Sequence, residues 1–268
     1  MEMENRRLKL PTSIQTFEKL REGNFVYVDK TKYLIDIIDN VNVCFFSRPR
    51  RFGKSLTVST FDALFSGRKE LFKGLYAEEF LNRPDFKPSP VIRLDMSKVI
   101  TDSGIDGIRE TISKQIKYIA KRLDVSLSDD KLPGSLFDDL IANTALKYSQ
   151  KVVILIDEYD SPYTEFVNDT DMADKVRDVL RNCYSQIKAN DEYIRFVFIT
   201  GISKFTKFGV FSKLNNTTDI STMPEYAEMC GYTEEEIKRY FPDYLEDTAK
   251  DIGISTDELI EFSSLINN

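Results

Sequence analysis

The feature that most restricts the fold of this chain is the run Val152-Val153-Ile154-Leu155-Ile156, which ends in Asp157-Glu158. A run of strand length with no polar alternation has no face to give to water. It predicts a strand covered on both sides, as inside a parallel sheet. The run is also far too short to span a bilayer. Val41-Asn42-Val43-Cys44-Phe45-Phe46, Val91-Ile92-Arg93-Leu94 and Phe196-Val197-Phe198-Ile199 are further strand candidates, and Thr217–Ser221 is a weaker fifth. Helical patterns lie between them. Thr31–Asn40 carries Leu34, Ile35, Ile37 and Ile38; Ile105, Ile108, Ile112, Ile116 and Ile119 recur at three- and four-residue spacing. Leu136–Leu146 and Met172–Lys188 complete the set, whereas Gly74–Pro90 reads as loop-rich. Near the N-terminus a short helix precedes the extended Phe25-Val26-Tyr27-Val28. Strands alternating with helices predict an α/β fold with a mostly parallel sheet.

After about Tyr226 the pattern turns helical, and Thr233 with Glu236 and Ser255 with Glu258 fit capping boxes. Two units are therefore expected: residues 1–225 as the α/β core with an N-terminal extension, and 226–268 as a small, incomplete helical lid.

Composition removes several chemistries. The chain has no histidine, which excludes Ser-His-Asp and Cys-His catalysis and His-ligated metal sites. Its three cysteines, Cys44, Cys183 and Cys230, lie far apart, with neither zinc spacing nor an even count for a disulfide framework. With no apolar leader after Met-Glu-Met-Glu-Asn-Arg-Arg, a reducing cytoplasmic setting is expected. A net charge of −7 argues against a nucleic-acid coat and leaves a local basic patch open.

One such patch carries chemistry. Arg48-Pro49-Arg50-Arg51-Phe52-Gly53-Lys54-Ser55 matches the phosphate-loop pattern G-x-x-x-x-G-K-[ST] at every defined position but the first, where Arg48 replaces glycine. It sits between an apolar strand and a helix bearing Leu56, Val58, Phe61 and Leu64. Backbone N–H groups from Arg50 to Leu56 and the helix N-terminus can cradle phosphates; Lys54 can reach the β- and γ-phosphates, and Ser55 can ligate magnesium. Glycine at the first position permits a tight turn, so Arg48 implies either another loop shape or a role of its own. Arg48, Arg50 and Arg51 can serve phosphates, a partner subunit or an acidic surface, or simply form a solvated basic loop.

About a hundred residues downstream, Val152–Glu158 reads as a Walker B strand that delivers two carboxylates to the edge where open α/β sheets bind ligands. Asp157 is expected in the magnesium shell and Glu158 as general base for the attacking water. Asp160 either supports the site from behind or lies on the surface. In P-loop ATPases of this class a strand separates the phosphate-loop strand from the Walker B strand and ends in a polar sensor. Thr200 is the candidate here, ahead of Ser203 and Lys204. No Asn-Lys-x-Asp motif is present, which favours ATP over GTP.

With these residues placed, the chain resembles the prokaryotic AAA-ATPase-like family over nearly its whole length. The likeness rests on Tyr27-Val28-Asp29-Lys30-Thr31, Arg48-Pro49-Arg50-Arg51-Phe52-Gly53-Lys54-Ser55-Leu56, Leu155-Ile156-Asp157-Glu158-Tyr159-Asp160, Thr200-Gly201 and Leu214-Asn215-Asn216. An arginine at the first loop position is usual in that family. The resemblance implies a P-loop NTPase three-layer sandwich with an inserted sensor strand, followed by a helical lid, with the Tyr27–Thr31 segment near the nucleotide. The nuclease-like PD-(D/E)XK domain often found downstream is missing, as in a truncated piece or a short natural form, and nuclease activity is not expected.

The expectation is an ATP-binding, magnesium-dependent ATPase that works as a nucleotide-driven switch, with an arginine supplied by self-association or a protein partner. The alternatives are a nucleotide-holding scaffold or docking module with little hydrolysis, and a nucleic-acid-binding module built on Arg48–Arg51. Any link to DNA processing is indirect, and no membrane association is expected.

Overall fold

Each apolar run becomes a strand, and all the strands run parallel. The computed structural model describes residues 7–203 and 217–266. Helices α1 (Phe17–Glu22) and α2 (Thr31–Asn40) precede β1 (Val43–Ser47), which leads through the phosphate loop into α3 (Lys54–Phe65). Then come α4 (Ala77–Leu81), β2 (Val91–Asp95), α5 (Gly104–Arg122), α6 (Pro133–Tyr148) and β3 (Val152–Asp157). Helices α7 (Ser161–Thr164) and α8 (Thr170–Ala189) lead to β4 (Ile194–Gly201). The two-residue β5 (Thr218–Asp219) and helices α9 (Glu234–Tyr240), α10 (Pro242–Ile252) and α11 (Thr256–Ile266) come last. Lys204 and Leu214-Asn215-Asn216 lie outside the described residues.

The five strands stand in the order β2-β3-β4-β1-β5. Strand β4 therefore separates β1 from β3, as the sensor-strand reading expects. Phe46 pairs with Thr200, Ser47 with Gly201, and Asp95 with Asp157, so the polar strand ends share one edge.

Layering follows from the two-residue period of a strand. Phe45, Ile154, Ile156, Val197 and Ile199 face a core closed by α5, α6 and α8. Their neighbours Cys44, Phe46, Val153, Leu155, Phe196 and Phe198 face a second core closed by α1, α2, α3 and α4. Both faces of β3 are thus dry, which is why its sequence shows no alternation. Each of these large side chains contributes roughly 1.5–3 kcal/mol by leaving water. On α5 the isoleucine stripe Ile108, Ile112, Ile116 and Ile119 is buried as its spacing predicts.

The expected loop-rich stretch is more ordered than its composition suggests. Residues 74–90 contain α4, whose Ala77, Phe80 and Leu81 are buried. The reason is partly distant in sequence: the Asp29 carboxylate accepts from Tyr76 N (2.7 Å) and the Thr31 hydroxyl from Ala77 N (3.0 Å), satisfying the start of α4. By contrast, among the described residues Phe25–Val28 joins no sheet, and Lys9 alone bridges to Phe25. Both capping boxes form: Thr233 and Glu236 cap α9, and Ser255 exchanges hydrogen bonds with Glu258 at the start of α11. Among the described residues no helix is long and apolar enough to cross a membrane.

Gly201 closes β4 in a crowded place. A Cβ there would lie 2.4 Å from the Tyr159 ring and 2.8 Å from an Asp160 carboxylate oxygen. Gly201→Ala is expected to destabilise the fold by about 1–3 kcal/mol, or more if the buried tyrosine cannot move. Urea denaturation checks this, and an unchanged midpoint would refute it.

Candidate functional site

The site begins with the loop between β1 and α3. Arg51 (φ 69°) and Gly53 (φ 92°) are both left-handed, which turns the chain back onto the start of α3. A Cβ at Gly53 would meet nothing within 4 Å, so the need for glycine there is conformational. Gly53, at the N-cap of α3, has no side chain to cap it. Among the described residues no side chain accepts from the first N–H groups of α3, at the end of a helix that favours anions.

Lys54 is only 4% exposed. Its ammonium donates to the carbonyls of Arg48 and Pro49, both at 2.9 Å, and so closes the loop on itself. Burial pulls its pKa below the usual lysine value, while Glu158 and Asp157 work in the opposite direction.

The acidic strand end is held by β4. Thr200, fully buried, donates its hydroxyl hydrogen to Asp157 Oδ1 (2.7 Å), and its oxygen accepts from the Glu158 amide (3.3 Å). Glu158 then leaves the strand with φ 51°, an unusual conformation for a residue with a Cβ. Thr200 O accepts from Tyr159 N at 2.9 Å and helps hold that turn. Burial, and next the neighbouring Asp157 carboxylate, push the Glu158 carboxyl above its ordinary range; Lys54 and Arg50 partly counter this. Asp160, 2% exposed, accepts from the amides of Ile202 and Ser203, so it fixes the exit of β4 from behind the site.

A cleft of about 710 Å³ joins these parts. Arg51, Phe52, Gly53, Lys54, Ser55, Leu56 and Glu158 all line it. Asp157 and Thr200 lie buried beside Glu158 rather than on the cleft wall. Arg50 is exposed and outside the lining, and reaches the site only through its charge on Glu158.

Residues 11–211 match the family described as Predicted AAA-ATPase. The chain belongs to that family. It is also 37% identical over 255 residues to a protein of Azotobacter chroococcum mcd 1 named "Uncharacterized protein in vnfD 5'region". That match covers 94% of this chain and 47% of the relative, so the chain spans about half the length of the curated relative it matches. At this coarse level the chain is a nucleotide-binding ATPase of the AAA-like kind.

Arg48 has a structural place in this AAA-like ATPase. Its guanidinium donates to the carbonyls of Ser47 (3.0 Å), Ser221 (2.5 Å) and Tyr226 (3.5 Å), and its Cζ lies 4.6 Å from the centre of the Phe46 ring. The arginine at the first loop position thus ties the phosphate loop to the segment after β5.

Three stretches of the cleft escape local sequence patterns: Pro11–Gln15, Lys30 and Met229–Tyr232. The Tyr27–Thr31 segment acts as a tie. Asp29 and Thr31 satisfy the start of α4, and Lys30, 9% exposed, pairs with both carboxylate oxygens of Glu236 at 2.5 Å. Glu236 also accepts from the Thr233 amide (2.9 Å), so the capping box of α9 doubles as the anchor for Lys30. The family resemblance pointed to this segment, but nothing in its spacing names Glu236 as its partner.

Replacing Arg48 with the glycine of the general loop pattern is expected to weaken the fold. Arg48→Gly should cost about 1.5–3 kcal/mol, the range for hydrogen bonds from a charged donor. Chemical denaturation reads this; a variant as stable as the parent would show that the arginine does not hold the loop.

Proposed function

We propose that this chain is a magnesium-dependent ATP hydrolase whose nucleotide state acts as a switch. The observation that carries the reading is that Lys54 and Glu158 face one cleft across a helix start with no side-chain cap. In this reading the γ-phosphate oxygens replace the Arg48 and Pro49 carbonyls as acceptors for Lys54. Charged acceptors make stronger hydrogen bonds than neutral ones, so the exchange is favourable. Glu158 holds the attacking water and takes its proton. A carboxyl whose pKa is raised by burial is a better proton acceptor than an ordinary glutamate. Thr200 is a positioning residue that orients Asp157 and fixes the Glu158 turn.

The donor set suits magnesium. Ser55 and Asp157 would hold it, and both offer oxygen, as a hard cation requires. Among the described residues no cluster of three or more His, Cys, Asp or Glu forms a site by itself. Magnesium bound with a nucleotide needs none, because phosphates and waters fill most of its shell. When bound it neutralises phosphate charge during transfer.

The C-terminal helices are proposed to be the part that moves. In this proposal the boundary lies at 225/226, with residues 226–268 as a lid joined to the core through Lys30–Glu236. The Arg7–Asp247 ion pair and Tyr244 Oη donating to Leu8 O (2.8 Å) add a second tie to α10. An arginine from a second copy or a protein partner completes the catalytic charge in this proposal; a cytoplasmic setting rests on the cysteine pattern, and a link to DNA processing on the family resemblance alone.

Magnesium-dependent ATP turnover and ATP binding, measured on the same samples, test the core of the proposal. Lys54→Ala should weaken ATP binding at least about tenfold through loss of a charged contact. Glu158→Gln should bind ATP like the parent and turn over about 10²–10⁴-fold more slowly. Thr200→Val should keep binding and lose turnover. Tight binding without hydrolysis in the parent would favour the scaffold reading, and no nucleotide binding at all would overturn the proposal.

A further inference from the structure

The cleft does not stop at the phosphate loop. Away from Lys54 it runs between the N-terminal segment and the turn before α9, along Pro11, Ile14, Gln15, Val28, Met229 and Tyr232. This end is mostly apolar, as small-molecule sites are, and such sites take their selectivity from a few placed polar groups. Two of the polar groups here are already engaged: Tyr27 bonds to Thr60, and Lys30 is paired with Glu236. Gln15 is the only side-chain amide among the described residues lining the cleft. It is exposed and makes no side-chain hydrogen bond with the described residues.

The backbone beside it is anchored. Two residues on, the amide of fully buried Phe17 donates to Ser59 Oγ at 3.0 Å. Ser59 lies on α3, the helix that starts at Lys54. The backbone two residues from Gln15 is therefore tied to the same helix that starts at the phosphate-binding end.

We propose that Gln15 reads the base of the bound nucleotide, pairing its carboxamide with the N6/N7 edge of adenine and so selecting adenine over guanine nucleotides. The inference rests on the nucleotide reading above. A carboxamide offers one donor group and one acceptor. Adenine shows the complement on that edge, an N6 amino donor beside the N7 acceptor, and glutamine pairs with both. Guanine shows O6 and N7, two acceptors, so the glutamine oxygen meets another oxygen and loses its partner. Discrimination of this kind corresponds to about 5- to 150-fold in affinity.

The test measures dissociation constants of ATP, GTP and 7-deaza-ATP for the parent, Gln15→Ala and Lys54→Ala, with thermal melting to confirm that each variant is folded. The parent should bind ATP about 5- to 150-fold more tightly than GTP, and more tightly than 7-deaza-ATP, which lacks the N7 acceptor. Gln15→Ala should lose both differences while its GTP affinity stays near that of the parent. Lys54→Ala should weaken all three ligands together. If nucleotides bind but Gln15→Ala keeps the parental ATP-to-GTP ratio, or the parent shows no preference, Gln15 is not the base reader and the nucleotide reading stands. If the parent binds none of the three, both readings fall.

Discussion

The rest of the site depends on how one buried carboxylate is satisfied. Asp157 is 3% exposed at the end of a strand with two dry faces. A polar group so placed is costly unless it has a hydrogen-bond partner. The Thr200 hydroxyl is that partner, and it can be so only because β4 lies directly beside β3. Strand β1, which carries the phosphate loop, then takes the next place. The same hydroxyl accepts from the Glu158 amide, which sends Glu158 into the left-handed turn that leads to the cleft. In four residues the chain therefore has four outcomes. Asp157 is held in the sheet, and Glu158 lines the cleft. Tyr159 packs edge-on against Phe45 at 5.5 Å, and Asp160 fastens the end of β4.

The cations divide in a comparable way. Arg48 is bound to three backbone carbonyls and fastens the loop to the segment after β5. Lys54 is bound to two carbonyls of the same loop, where a phosphate competes well. Lys30 is committed to a carboxylate on α9. Three cations close to one another thus do different work: the first stabilises, the second is available to a ligand, and the third connects the C-terminal helices to the wall of the cleft.

Much of this was legible from local patterns. The unbroken apolar runs predicted strands with both faces covered, because a side chain that never meets water needs no polar alternation. The isoleucine stripe of α5 and the capping boxes of α9 and α11 were readable because their residues meet within a turn or two of the same helix. Residues 74–90 are loop-rich as expected, but the short α4 within them was not legible, because it is started by Asp29 and Thr31, more than forty residues earlier. Arg48 was left between several roles because its partners, Ser221 and Tyr226, belong to a segment more than 170 residues away.

By itself the sequence determined the alternating α/β pattern, the phosphate loop with its Gly-Lys-Ser, and the acidic end of a buried strand. Each is a local property, set by side-chain period, backbone conformational preference or the chemistry of adjacent residues. Only the tertiary structure decided that Thr200 serves Asp157, that Arg48 braces the loop rather than lining the cleft, that Lys30 meets Glu236, and that Gln15 and Tyr232 line one cleft. These depend on strand order and on the packing of distant segments, which arise from burying both faces of one sheet at once and leave no trace in the spacing of any single stretch.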